Sequence, residues 1–311
     1  MKLPFLARLG LPAGLLLFLL YTPATRAQSI FVGTFTDSTV RAFNLATGVA
    51  VPGFTPISMN IPRGLVLSGN ALYGISNSGN TLNAYNATTG AALPGFTTVT
   101  GLDAPNGLAF AGGNLYVTNY GANSITAYDA TTGAPVAGYL SPSGLNHPVG
   151  LAISGNTLYV GNDGNSTVSA FNLASGVAVP GFIPISLESP DGLAISGNAL
   201  YATSYGGNTL SAYDATTGAA LSGFTTQTSA NGVDHPWGVA ASGGNLYVAN
   251  VTGFDITAYN ATTGAAVAGY MSPSGLMGPT AIAVGTPTPE PGSAVLLGLG
   301  TLGLLACRRQ A

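Results

Sequence analysis

Hydrophobic positions along this chain come in short runs cut by Gly, Asn and Thr. Pro105–Tyr139 shows the pattern best. Gly107-Leu108-Ala109-Phe110 is a run that follows a proline, and a proline suits a strand's first residue, where its missing N–H costs least. Gly112-Gly113-Asn114 makes a turn, and Leu115-Tyr116-Val117 is a second strand. Asn123-Ser124-Ile125-Thr126-Ala127-Tyr128 alternates polar and apolar with period two, which predicts a third, half-buried strand. Asp129-Ala130-Thr131-Thr132-Gly133 turns the chain, its carboxylate placed to accept backbone N–H groups ahead of it. The run Ala134–Tyr139, of the form Ala-x-x-x-Gly-Tyr, reads as a fourth strand.

This unit repeats. An aromatic followed by Asn or Asp recurs at Phe43, Tyr85, Tyr128, Phe171, Tyr213 and Tyr259. The proline marker recurs at Pro62, Pro105, Pro148, Pro190, Pro236 and Pro279. The Leu-Tyr marker occurs at Leu72, Leu115, Leu158, Leu200 and Leu246, and Ile30-Phe31 supplies the sixth copy. Four strands in about 43 residues is the period of a propeller blade. The sequence therefore predicts an all-β, six-bladed β-propeller of four-stranded blades. The first repeat begins at its second strand and the last stops after its first. These fragments complete one blade, closing the ring with an inner strand from the C-terminal end and hiding edges that would otherwise invite pairing.

A longer period lies above the blade. Val49–Phe54 returns as Val177–Phe182, and Ser141-Pro142-Ser143-Gly144-Leu145 returns as Ser272-Pro273-Ser274-Gly275-Leu276, at offsets of about 130 residues. Blades one to three thus match blades four to six, as a duplicated three-blade unit would.

Only 5% of the 311 residues are charged, while Gly alone accounts for 45. From Gln28 to Thr288 the basic residues are Arg41 and Arg63 against nine acidic ones, so nucleic acid is excluded as a partner. The single Cys, Cys307, leaves the body without disulfide or thiol chemistry.

The ends differ from the body. Lys2 and Arg8 precede an apolar run to Leu20, and Thr25-Arg26-Ala27 ends in a small residue, so residues 1–27 read as a cleaved secretory signal peptide. A retained anchor is the alternative, although the run is shorter than the ~20 residues of a span. Residues 28–286 form the propeller, and residues 287–311 a tail. In that tail Pro289-Glu290-Pro291 is followed by an apolar segment, Ala294–Cys307, and by Arg308-Arg309. The order resembles the PEP-CTERM sorting signal of bacteria. That resemblance implies an exosortase-type processing peptidase as partner, transient membrane contact through a hydrophobic transmembrane segment, and delivery to the cell envelope, surface or extracellular matrix. An ordinary C-terminal membrane anchor with its basic residues left inside is the alternative.

Pro105-Asn106-Gly107-Leu108, Leu115-Tyr116-Val117-Thr118-Asn119 and Ile125-Thr126-Ala127-Tyr128-Asp129 are similar to the repeat shared by NHL-type and YVTN-type β-propellers. The resemblance covers nearly the whole body and is specific for fold rather than function. Many NHL repeats carry Asp after the second strand; here the residues are Ser76, Asn119, Asn162, Ser204 and Asn250. The swap keeps turn chemistry and removes charge.

Propeller ligands usually sit at a channel mouth, so the residues around the six prolines are the candidates. Arg63, Asn106, His147, Asp191, His235 and Trp237 read as a ligand-binding set suited to a sugar or peptide, with Trp237 as a stacking surface. The competing reading is of scattered rim residues with no joint role. No catalytic set, metal set or cofactor motif stands out. The reading is an exported, non-catalytic binding or structural module for extracellular polysaccharide or a surface protein. The alternative is a metal-dependent hydrolase or lyase using both His and Asp191, although zinc asks for three or four convergent ligands.

Overall fold

The computed structural model describes residues 27–287. Those residues form an all-β β-propeller built from six separate sheets of three or four antiparallel strands. In chain order, the second sheet holds Pro62–Ser68, Ala71–Ser76 and Thr81–Asn86. The third holds Pro105–Ala111, Asn114–Asn119 and Ser124–Asp129. The fourth holds Pro148–Ser154, Thr157–Asn162, Thr167–Asn172 and Ile185–Ser186. The fifth holds Pro190–Ser196, Ala199–Ser204 and Thr209–Asp214. Pro236–Ser242, Asn245–Asn250 and Asp255–Asn260 make the sixth. The first sheet joins Ser29–Thr34, Thr39–Asn44 and Ile57–Ser58 to the distant strand Pro279–Gly285. Its register sets Ile30 opposite Val284 and Val32 opposite Ile282.

Each first strand begins at its proline, and the turn after each third strand forms as the sequence predicts. In all six copies the Asn or Asp oxygen accepts the backbone N–H groups two and three residues ahead, from Asn44 at the first to Asn260 at the last. The Thr132 hydroxyl together with these backbone bonds lowers the carboxyl pKa of Asp129, and these bonds together with the Thr217 hydroxyl lower that of Asp214.

The predicted fourth strand does not form where the sequence placed it. The run after the turn makes one bridge back to the third strand, as at Tyr128 and Pro135, and then turns away. Gly53, Gly95, Gly138, Gly181 and Gly269 sit there at positive φ, a region glycine adopts without steric cost. The aromatic that follows packs instead on the Leu-Tyr aromatic. Phe31–Phe54, Tyr73–Phe96, Tyr116–Tyr139, Tyr159–Phe182, Tyr201–Phe224 and Tyr247–Tyr270 all have ring centroids 5.4–5.8 Å apart.

The outer edge is formed later in each repeat, and it follows the long period of the sequence. Sheets one and four gain a two-residue strand, Ile57–Ser58 or Ile185–Ser186. Sheets two and five gain a single bridge, Leu82 with Val99 or Leu210 with Gln227. In sheets three and six a serine hydroxyl takes the edge N–H, with Ile125 donating to Ser141 at 2.9 Å and Ile256 to Ser272 at 2.8 Å.

The core lies between sheets. Apolar residues of one sheet's inner strands meet the third strand and turn of its neighbour, with Leu72, Leu115, Leu158, Leu200 and Leu246 fully buried. The tyrosine hydroxyl of one sheet also ties to the next. Tyr73 donates to the carbonyl of Ala130, Tyr159 to Ala215 and Tyr201 to Ala261, at 2.7–2.8 Å.

Candidate functional site

The first strands of the six sheets pack side by side around a channel, each against its neighbours. Close approach there requires the glycine two residues after five of the six prolines, Ala281 taking that place after Pro279. A Cβ on Gly107 would collide with the carbonyl of Val149, and one on Gly192 with that of Trp237. Threonine hydroxyls bridge the same seams. Thr118 donates to Val149 O at 3.0 Å and Thr203 to Trp237 O at 2.9 Å, while Thr280 donates to Pro62 O at 2.5 Å.

The residue between proline and glycine is therefore held at the mouth from three sides. Upstream, the end of the second strand clasps the incoming loop. The side-chain oxygens of Asn119, Asn162 and Asn250 accept the N–H of Asp103, Asn146 and Asp234 at 3.0–3.2 Å, and the hydroxyls of Ser76 and Ser204 donate to the carbonyls of Asn60 and Glu188. Next, the residue before each proline adopts positive φ: Ile61, Ala104, His147, Ser189, His235 and Gly278. Downstream, the glycine allows the tight packing. The Asn and Ser residues that replace Asp in the NHL-like pattern are thus loop clasps.

Two rings of side chains result. Arg63, Asn106, Val149, Asp191, Trp237 and Thr280 follow the prolines. Phe35, Asn77, Tyr120, Asp163, Tyr205 and Val251 follow the ends of the second strands. Members of both rings enclose a cavity of about 330 Å³ at the mouth, lined by Arg63, Asn77, Asn106, Tyr120, Asp163 and Asp191 together with Ala104, Val149 and Trp237. Below it the channel narrows to a space of about 80 Å³ and then opens to an apolar vestibule of about 250 Å³.

Four of the six sequence candidates, Arg63, Asn106, Asp191 and Trp237, meet in this cavity. The two histidines do not line it. His147 stacks on Tyr120 with centroids 4.5 Å apart, and His235 meets the ring of Tyr205 edge-on at 5.0 Å. His235 Nδ1 also lies 2.9 Å from an Asp234 oxygen and 2.8 Å from the Thr252 hydroxyl. Both histidines occupy the left-handed backbone position, which His adopts more readily than most residues, and both brace the second ring. Among the described residues no three His, Cys, Asp or Glu side chains come together as metal ligands.

Trp237 does not offer the open stacking surface expected of it on every side. The Arg63 guanidinium lies 3.7 Å from the centroid of its ring, and Tyr205 packs against it at 5.4 Å. Burial lowers the Arg63 pKa to about 10, an effect that nearby Asp191 and Tyr205 oppose. Its buried Nε has no hydrogen-bond partner among the described residues. Asp191 is only 9% exposed. Burial pushes its carboxyl well above the usual range, Asp163 adds to the rise, and the positive charge of Arg63 works against it.

The second ring is not among the sequence candidates, which all lie around the prolines; it sits one residue beyond the Ser and Asn clasps. The position after the second strand varies just as freely, and aligning it across the six repeats would have exposed Tyr120, Asp163 and Tyr205.

Comparison with known families adds an address and supports the fold. Residues 287–310 match the PEP-CTERM protein-sorting motif, a range that contains Pro289, Glu290, Pro291, Arg308 and Arg309. The motif implies processing by an exosortase-type enzyme and marks an exported bacterial surface protein. Residues 78–179 match the family described as outer membrane protein assembly factor BamB. No curated protein matches the chain. Among solved structures, a chain of the nidogen/laminin complex aligns over 84% of this chain and 99% of its own, at 15% identity and a TM-score of 0.63. A Bacteroides fragilis protein carrying a 6-phosphogluconolactonase description aligns over 85% of this chain and 99% of its own, at 16% identity and a TM-score of 0.59. At such identities the likeness is one of β-propeller fold alone. No described helix is long and apolar enough to cross a membrane. The expected signal peptide, and the apolar segment Ala294–Cys307, lie outside the described residues.

Proposed function

We propose that this chain is an exported, surface- or matrix-associated β-propeller that works as a non-catalytic binding module, holding extracellular polysaccharide or protein at its channel mouth. The observation that carries this reading is the mouth cavity, where the buried Nε of Arg63 has no hydrogen-bond partner among the described residues and the carboxyl of Asp191 is buried. Leaving a buried donor unpaired costs stability, and a bound ligand would recover it.

In this reading residues 1–27 are removed on export and the tail directs sorting. Residues 28–286 form one six-bladed ring. Its closure is supported by the pairing of Pro279–Gly285 with Ser29–Thr34 and by packing between the first strands of sheets one and two.

The test is a glycan and surface-protein array probed with the full chain and with Asn106→Ala and Trp237→Ala variants. Saturable binding lost in both variants supports the proposal. Binding that persists in both places the function elsewhere, and absence of any binding leaves a purely structural role.

A further inference from the structure

The mouth cavity has an uneven chemistry. Its lining holds two carboxyl groups, Asp163 and Asp191, against one cation, Arg63. No other cation of the described residues can restore the balance. Arg41 is bound to Asp37 and to the carbonyl of Gly275 at 2.9 Å. Arg63 itself lies on the Trp237 ring and forms no ion pair with Asp191.

Hydrogen-bonding capacity is uneven in the same sense. Asn77 donates an amide N–H to Pro105 O at 3.1 Å, and Asn106 donates one to Ala104 O at 3.2 Å. Their side-chain carbonyl oxygens receive no donor from the described chain. The wall therefore presents the acceptors of Asn77, Asn106 and Asp191 and the carboxyl of Asp163, which also takes the Tyr120 hydroxyl, with Arg63 Nε–H as a buried donor that has no partner among the described residues. Such a wall fits a ligand rich in donors with one positive charge. An ammonium group, with three N–H donors and no acceptor, meets both demands. A volume of about 330 Å³ suits one sugar-sized ring, and the space of about 80 Å³ beneath it keeps that ring at the mouth.

We propose that the mouth binds an amino sugar with a free amine, its ammonium group seated by Asp163 and Asp191 and a ring oxygen accepting the Arg63 Nε–H. This deepens the polysaccharide reading above and rests on it. An N-acetylated sugar carries no charge and adds a bulky acceptor where acceptors are already in excess. A uronic acid would bring a third carboxylate.

Calorimetry of the full chain at pH 7 with glucosamine, N-acetylglucosamine, glucose and glucuronate tests the assignment. Glucosamine is expected to bind saturably, the others at least tenfold more weakly. Asp191→Asn and Asp163→Asn should each weaken glucosamine at least tenfold. Asp214→Asn, an exposed turn variant, should leave it unchanged. Asp191→Asn is expected to be more stable than the parent, so its loss of binding cannot be put down to unfolding. Equal or tighter binding of glucose, N-acetylglucosamine or glucuronate overturns the inference, as does absence of saturable glucosamine binding. If an uncharged polysaccharide binds the array and depends on Asn106 and Trp237 while glucosamine does not compete, the ligand class fails and the binding function stands. If nothing binds in either format, both fail.

Discussion

Among the described residues Asp191 is the one buried acidic side chain. Its folded-state pKa is raised, chiefly by burial, so the native state holds this proton more tightly than the unfolded chain does. Its contribution to stability is therefore complete below the unfolded value of about 3.9 and is lost as pH rises through the folded value. Asp191→Asn keeps the shape and removes the ionisation. It should stabilise the protein at pH 7 and have little effect at pH 3.5, read from chemical denaturation at the two pH values. His147 is governed by its backbone, at φ +48°. His147→Asn, which tolerates that region, should be near neutral, whereas His147→Val should cost about 1–3 kcal/mol in the same measurement. Ile61 occupies the matching position at φ +51°, so this strain is already accepted once within the chain.

At the scale of elements, the first strands do two jobs. They pack side by side through Gly107 and Gly192, and they present the residues between proline and glycine to the mouth. Gly107→Ala would force Val149 O away and should destabilise by about 1–3 kcal/mol, with weaker ligand binding because Asn106 moves with it. Thr203→Val keeps the volume but removes the hydroxyl that joins Gly192 N to Trp237 O. It should cost about 1–3 kcal/mol in denaturant unfolding, the price of a buried carbonyl left unpaired. The tyrosine latches follow the same logic at the outer end, but only in part. Tyr139 and Tyr270 replace phenylalanine at twofold-related positions, and their buried hydroxyls find no partner among the described residues. Burial raises the pKa of both.

For the whole molecule, the decisive contact joins residues 250 positions apart in the chain. Pro279–Gly285 covers Ile30, Phe31 and Val32, all fully buried. Ending the chain at Gly278 would expose that edge and its side chains. The expected result is loss of a single cooperative transition and concentration-dependent aggregation by light scattering. Ending it after Pro287 should leave the thermal midpoint within about 1 °C of the full chain, because the closing strand stays. The two truncations together separate the role of the last strand from that of the sorting tail.

Much of this was legible in the sequence because it depends on local pattern. Proline at each first strand, the Asx turn after each third strand and the twofold long period are properties of neighbouring residues, and they hold in all six copies. The sorting tail is a linear signal and needs no fold to be read. The outer strand lies elsewhere than the Ala-x-x-x-Gly-aromatic run predicts, because that run does not by itself show that its glycine, at positive φ, turns the chain after one bridge. The mouth depended on tertiary structure for a different reason. Arg63, Asp163, Asp191 and Trp237 come from four sheets, and no spacing along the chain encodes how the packing brings them together. That packing laid Arg63 on Trp237, left Asp191 buried, and turned both histidines from expected ligand contacts into braces for Tyr120 and Tyr205. The sequence by itself determined which units repeat and how each one turns, because those choices rest on φ preferences and short-range hydrogen bonds. Only the tertiary structure decided which charges face one another, because burial and distance between sheets set the cost of every charge at the mouth.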